Sequence, residues 1–200
     1  MKVPFRFILA ALLMAGVILS FAGCDKKIDL HNKANYWVKI DGVQYKPGDP
    51  YSKFIEKFEE PHKSSKEVKP EGKIDSIFEK QNSADYLSIA FTAEFYNPTV
   101  SPKPMSECVL SSISIDGAYI EIFDHQFIGG IKVEESTTDD VKRIFGEPTS
   151  RLRIEGKQWV WTYHHGVYNH SKEEDYDLIY EFTFSQETEI LLFCRMSSSL

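Results

Sequence analysis

Two runs of alternating residues near the C-terminus constrain the fold more than any other feature of the chain. In Trp159-Val160-Trp161-Thr162-Tyr163 a ring recurs at every second position, and Leu178, Tyr180, Phe182 and Phe184 repeat the pattern. Successive side chains of a strand point to opposite faces, so each run gathers its rings on one side of a sheet. Neighbouring strands are predicted at residues 151–154, turned by Glu155-Gly156, and at 188–196. A helix start precedes them. Ser136-Thr137-Thr138-Asp139-Asp140 places hydroxyls and carboxylates where the first free N–H groups and the positive dipole end need them. Val141, Ile144 and Phe145 form its apolar stripe, Gly146 supplies the exit and Pro148 prevents resumption. A helix followed by an antiparallel meander is an α+β unit.

The chain before this unit is rich in shorter strands. Tyr36-Trp37-Val38-Lys39-Ile40, the two-residue turn Asp41-Gly42 and Val43-Gln44-Tyr45 read as a hairpin. Phe54, Ile55 and Phe58 have helical spacing, and residues 59–73 read as a solvated loop. The alternation Leu87, Ile89, Phe91, Ala93, Phe95 is a half-buried strand, and residues 97–106, with three prolines, read as an exposed crossing. Val109, Ile113 and Ile115 lead to a turn at Asp116-Gly117 and a return over 119–123. The order strand, turn, strand, breaker, helix over 38–58 returns faintly over 120–145, which is compatible with a repeat or with chance likeness of short amphipathic helices.

The first residues carry an address. Lys2 and Arg6 precede the uncharged run 7–19, which ends in Ser20-Phe21-Ala22-Gly23-Cys24. Thirteen residues are short of the roughly 20 that span a bilayer, so the segment reads as a secretion signal. Ala22-Gly23-Cys24 resembles the bacterial lipobox, with Phe21 where Leu is usual. That resemblance implies a lipidated Cys24, palmitate included, as the first mature residue, anchored by about 0.8 kcal/mol per buried CH₂. The organisation expected is then a signal peptide at 1–23, a tether at 24–35, a strand-rich half at 36–127 and a helix-plus-sheet module at 128–200. With Cys24 lipidated, Cys108 and Cys194 remain, either as a disulfide pair or as small buried hydrophobes.

Gly130-Ile131, Ser136 to Val141, Phe145-Gly146-Glu147-Pro148 and Trp159 to Tyr163 together resemble the small lipoproteins of the SmpA/BamE type. They are equally similar to the fold class named for β-lactamase inhibitor protein. The resemblance covers about a third of the chain, and the whole chain resembles a group of uncharacterised bacterial lipoproteins. It implies an α+β fold of antiparallel sheets with one or two packed helices, possible as a tandem helix-plus-meander, and it brings no catalytic residue.

The chemistry is read largely by exclusion. The formal charge is −7, and the signal segment holds only two basic residues, so the remainder lies near −9. Such a chain is poorly suited to a phosphate backbone, so no nucleic-acid partner is expected. No nucleophile elbow, zinc-protease helix, Cys-x-x-Cys, phosphate loop or calcium loop occurs, so no enzyme and no cofactor are expected. His164, His170 and Asp175 are the candidates for a metal, but their spacing fits no closed site and a polar hairpin loop accounts for them. Trp159, Trp161 and Tyr163 are either core beneath the helix or an exposed protein-binding surface. His31, His62 and His125 read as surface or loop residues. The functional expectation is a lipoprotein held at the cell membrane, facing outside the cytoplasm, that binds a protein partner without catalysis. A small-molecule or metal-binding sensor using residues 164–175, and an inhibitor of an extracellular enzyme, are the alternatives.

Overall fold

The computed structural model describes residues 27–59, 61, 65–81, 87–118, 123–154, 156, 158–167 and 176–199. Strands β1 (Val38–Ile40) and β2 (Val43–Tyr45) form the expected hairpin. Asp41 and Gly42 both take positive φ, at 48° and 80°, which gives the turn a twist matched to its strands. Helix α1 (Ser52–Ile55) follows, then β3 (Glu67–Val68), β4 (Lys73–Gln81), β5 (Leu87–Tyr96), β6 (Lys103–Pro104), β7 (Val109–Asp116) and β8 (His125–Phe127). Helix α2 (Thr138–Phe145) leads to β9 (Ser150–Ile154), β10 (Gln158–Val167), β11 (Tyr176–Ser185) and β12 (Leu191–Ser198). The fold is α+β in which sheet predominates.

Seven strands build one antiparallel sheet in the order β4-β5-β7-β12-β11-β10-β9. It runs across the boundary drawn at residue 127, because β7 pairs with β12, joining Ile113 to Met196 and Ile115 to Cys194. A three-stranded sheet, β2-β1-β8, brings the last three residues before that boundary back to the first hairpin. The pair β3-β6 ties down two stretches that the sequence presents as loop. Asn97 supports this pair from within: its amide donates to the Val68 and Ser101 carbonyls, both at 2.9 Å.

The buried aromatic core lies against one face of the large sheet. Phe54 of α1 packs on Phe78, Phe91 and Phe95, at centroid distances of 5.2, 6.2 and 5.3 Å. Phe145 of α2 packs on Tyr163, Tyr180 and Phe182, at 5.2, 5.2 and 5.1 Å. The small sheet closes the same side, with Tyr36 stacked on Tyr180 at 5.0 Å and Phe127 against it at 6.4 Å. The Tyr180 hydroxyl accepts from the Trp37 N–H and donates to the Asn35 carbonyl, both at 3.0 Å, so a buried phenol is satisfied at the seam between the sheets.

Helix α2 forms for the reasons its sequence states. Thr137 accepts the Asp140 N–H and Asp140 accepts the Thr137 N–H, which completes a capping box. Those bonds hold the Asp140 carboxyl below the usual range, the Thr137 backbone contributing most. Gly146, at φ 82°, ends the helix.

The expected tether at 24–35 is bound to the domain from Lys27 onward. The Ile28 N–H donates to the Ile144 carbonyl at 2.8 Å, Tyr36 donates to the Leu30 carbonyl at 3.1 Å, and the His31 ring meets that of His165 at 3.9 Å. The signal segment, Cys24 and the return strand at 119–123, apart from Phe123, lie outside the described residues.

Candidate protein-binding surface

The site grows from the way α2 hands the chain to the sheet. After Gly146 the chain runs into β9, which pairs with β10 on one side and ends the sheet on the other. All five residues of β9 are exposed. Their alternation divides the edge into two characters. Arg151 and Arg153 stand opposite Trp161 and Trp159, and their guanidiniums lie over those rings at 4.9 and 5.9 Å from the centroids. Leu152 and Ile154 project to the other face, where they remain 61% and 41% exposed.

The three aromatic candidates of β10 separate along this strand. Tyr163 is 1% exposed, and its hydroxyl donates to the Gly146 carbonyl at 2.9 Å. Burial pushes that phenol well above its ordinary pKa. Trp161 is 9% exposed and packs on Phe184, at 5.0 Å. Both are core. Trp159, at 36% exposure, lies beyond the reach of the helix and is the one ring of the three on the surface.

Glu147 organises the neighbouring charges. It receives Lys142 at 2.6 Å and also Arg151, and the Lys142 contact does most to hold its carboxyl below the usual range. Arg151 is therefore already engaged, while Arg153 makes no ion pair with another described residue.

The remaining candidates do not converge. His164 faces Asp177, with Nε2 to Oδ1 at 3.0 Å, whereas His165 points the opposite way to His31. Desolvation, with His31 and His164 nearby, lowers the His165 pKa. His170 and Asp175 lie outside the described residues, and among the described residues no group of three or more His, Cys, Asp or Glu is gathered to hold a metal.

Cys108 and Cys194 are both free and buried, so the disulfide alternative is not realised. Sheet register gives the reason. Cys194 pairs with Ile115, and Cys108 lies seven residues back, just before β7, about 23 Å at strand rise and far beyond the roughly 7 Å limit for a bridge. Burial raises the Cys194 thiol well above its ordinary pKa, so it is an inert core group.

His125 is not a surface residue. It is buried in β8, and its Nε2 accepts the Val133 N–H at 2.9 Å. Desolvation lowers its pKa, with Lys132 adding to the effect. The Asp124-His125-Gln126-Phe127 stretch is too short for alternation to reveal this strand.

The face of the large sheet turned away from the helices carries a shallow depression of about 350 Å³ lined by Asp75, Ile77, Thr92, Glu94, Ser112, Ser114 and Arg195. Arg195 is held there by its Nε donating to Ser112 at 2.9 Å. Among the described residues no helix is long and apolar enough to cross a membrane. No protein-family model, curated protein or solved structure matches this chain.

Proposed function

We propose that the protein is a lipoprotein anchored at the cell membrane through Cys24, whose domain outside the cytoplasm binds a protein partner or serves envelope assembly without catalysis. The observation that carries the address is Ala22-Gly23-Cys24 after an uncharged 7–19 run with a basic start. The observation that supports binding is the one-sided core. Both helices and the small sheet occupy one face of the large sheet, which leaves the other face and the β9 edge for a partner. The tandem helix-plus-meander architecture of the inhibitor-protein class belongs to the same proposal, since β9 to β12 pair consecutively after α2. Inhibition of an extracellular enzyme is one form such binding takes, by analogy of fold alone.

Radioactive palmitate is expected to label the wild-type chain and not Cys24→Ala; an unlabelled wild type overturns the anchor. Photo-crosslinkers placed at Leu152 and at Ile77, on opposite ends of the sheet, are expected to trap a protein in the intact envelope from at least one position. Failure at both, with the protein present and folded, overturns the binding function.

The second reading is a metal- or small-molecule-binding sensor that uses residues 164–175, and the contact between His164 and Asp177 speaks for it. Calorimetry with zinc decides between the two. Micromolar binding that disappears in His164→Ala and His170→Ala supports the sensor, and absence of heat removes it.

A further inference from the structure

We propose that β9 is a receptor strand, which takes an extended peptide segment of alternating acidic and apolar residues as an eighth strand of the large sheet. This rests on the reading of the protein as a binding module and names the class of partner. In an antiparallel pair, every second residue turns its N–H and C=O away from the neighbour, so an edge strand offers a row of unmade main-chain bonds. Among the described residues nothing pairs with the outer side of β9, and all five of its residues are exposed. Edge strands are ordinarily blunted by shortness, charge, cover or a bulge; among the described residues β9 is uncovered, and its two arginines lie over the Trp161 and Trp159 rings.

Side chains then specify the guest. A strand laid beside β9 places its residues alternately on the Arg151 and Arg153 side and on the Leu152 and Ile154 side. The first side asks for carboxylates. Arg153, exposed and 5.9 Å from the Trp159 ring centroid, makes no ion pair to another described residue, and a guanidinium can pair with a carboxylate through two N–H groups. The second side asks for branched aliphatic residues, which would cover Leu152 and Ile154. Charge also argues against a second copy as the guest. Pairing β9 with the same strand of another molecule sets arginines against arginines, and like charges placed across a ladder repel.

The probes are three synthetic nonapeptides with blocked ends: alternating Glu and Val, alternating Lys and Val, and the Glu-Val peptide N-methylated at every second amide. They are titrated against the full chain in detergent, with tryptophan fluorescence and amide exchange of β9 as readouts. The Glu-Val peptide is expected to bind and to protect β9 amides. The Lys-Val and N-methylated peptides are expected to bind at least about tenfold more weakly, the equivalent of roughly 1.4 kcal/mol. Arg153→Glu is expected to reverse the preference between the acidic and basic peptides, and Arg153→Gln to abolish it, both without loss of fold.

Equal binding of the three peptides, binding indifferent to Arg153→Glu, no binding at millimolar peptide, or concentration-dependent protection of β9 without peptide each overturns the inference. The last of these would identify a second copy as the guest. In the envelope, a protein trapped from Ile77 and never from Leu152 overturns the receptor strand but leaves the binding function standing.

Discussion

Two neighbouring rows of residues cross the same sheet and meet opposite fates. The row Ser76, Ala93, Ile113, Met196, Tyr180, Tyr163 runs through six strands, and every member is buried. One residue along, the row Ile77, Thr92, Ser114, Arg195, Glu181, Thr162, Ser150 runs through all seven strands, and none of its members is buried. The backbone is the same; only the face differs. The first row lies under both helices and the small sheet, and the second lies under nothing among the described residues. The fold is carried by one face, and the other is free to be specified by a partner.

Substitutions on the covered face should produce the largest effects. Phe182→Ala removes a ring that touches Phe145, Tyr163 and Tyr180, and is expected to cost about 3–5 kcal/mol in urea denaturation. A loss near 1 kcal/mol would mean that the two faces are less different than their burial suggests. Tyr180→Phe keeps the packing and deletes only the hydroxyl, which leaves the half-buried Trp37 N–H without its acceptor. About 1–3 kcal/mol is expected, measured the same way.

Thr137→Ala breaks the capping box at the start of α2 and should cost about 1 kcal/mol.

The pH dependence of stability sharpens the same contrast. His125 on the covered side has a lowered pKa when folded, so near pH 6 the unfolded chain binds a proton that the folded chain refuses. Its contribution is therefore complete above the unfolded value near 6.5 and declines as pH falls below it. His165 adds to this slope in the same sense. His125→Gln, which keeps an acceptor for Val133, should flatten the decline measured by denaturation between pH 7 and 5. On the open face, Leu152→Ala and Ile77→Ala should change stability by no more than about 0.5 kcal/mol.

The sequence discloses features held by local bonds and hides those held by distant ones. Helix α2 was readable because its start, stripe and stop are written in one unbroken stretch from Ser136 to Pro148, and β10 and β11 were readable because their alternation is unbroken. Strand β4 was not, because Ser76 occupies a core position between Ile74 and Phe78 and interrupts the apolar period. Strands β3, β6 and β8 are two or three residues long and exist only by pairing with partners far along the chain. The candidate site follows the same rule. Residues 151–154 read plainly as a strand, but that this strand ends the sheet, and that Trp159 rather than Trp161 or Tyr163 stays exposed, depends on the order in which seven strands assemble. Two leftover cysteines suggested a pair by arithmetic, and only the register of β7 against β12 separates them.

The central claim is that the exposed β9 edge of the sheet carries binding and not stability. Arg153→Glu tests it most directly, read for thermal unfolding and for crosslinking from Leu152 in the intact envelope. The account predicts an unchanged melting temperature together with loss of the crosslinked partner; a substantial fall in melting temperature, or crosslinking undiminished by the charge reversal, would contradict it.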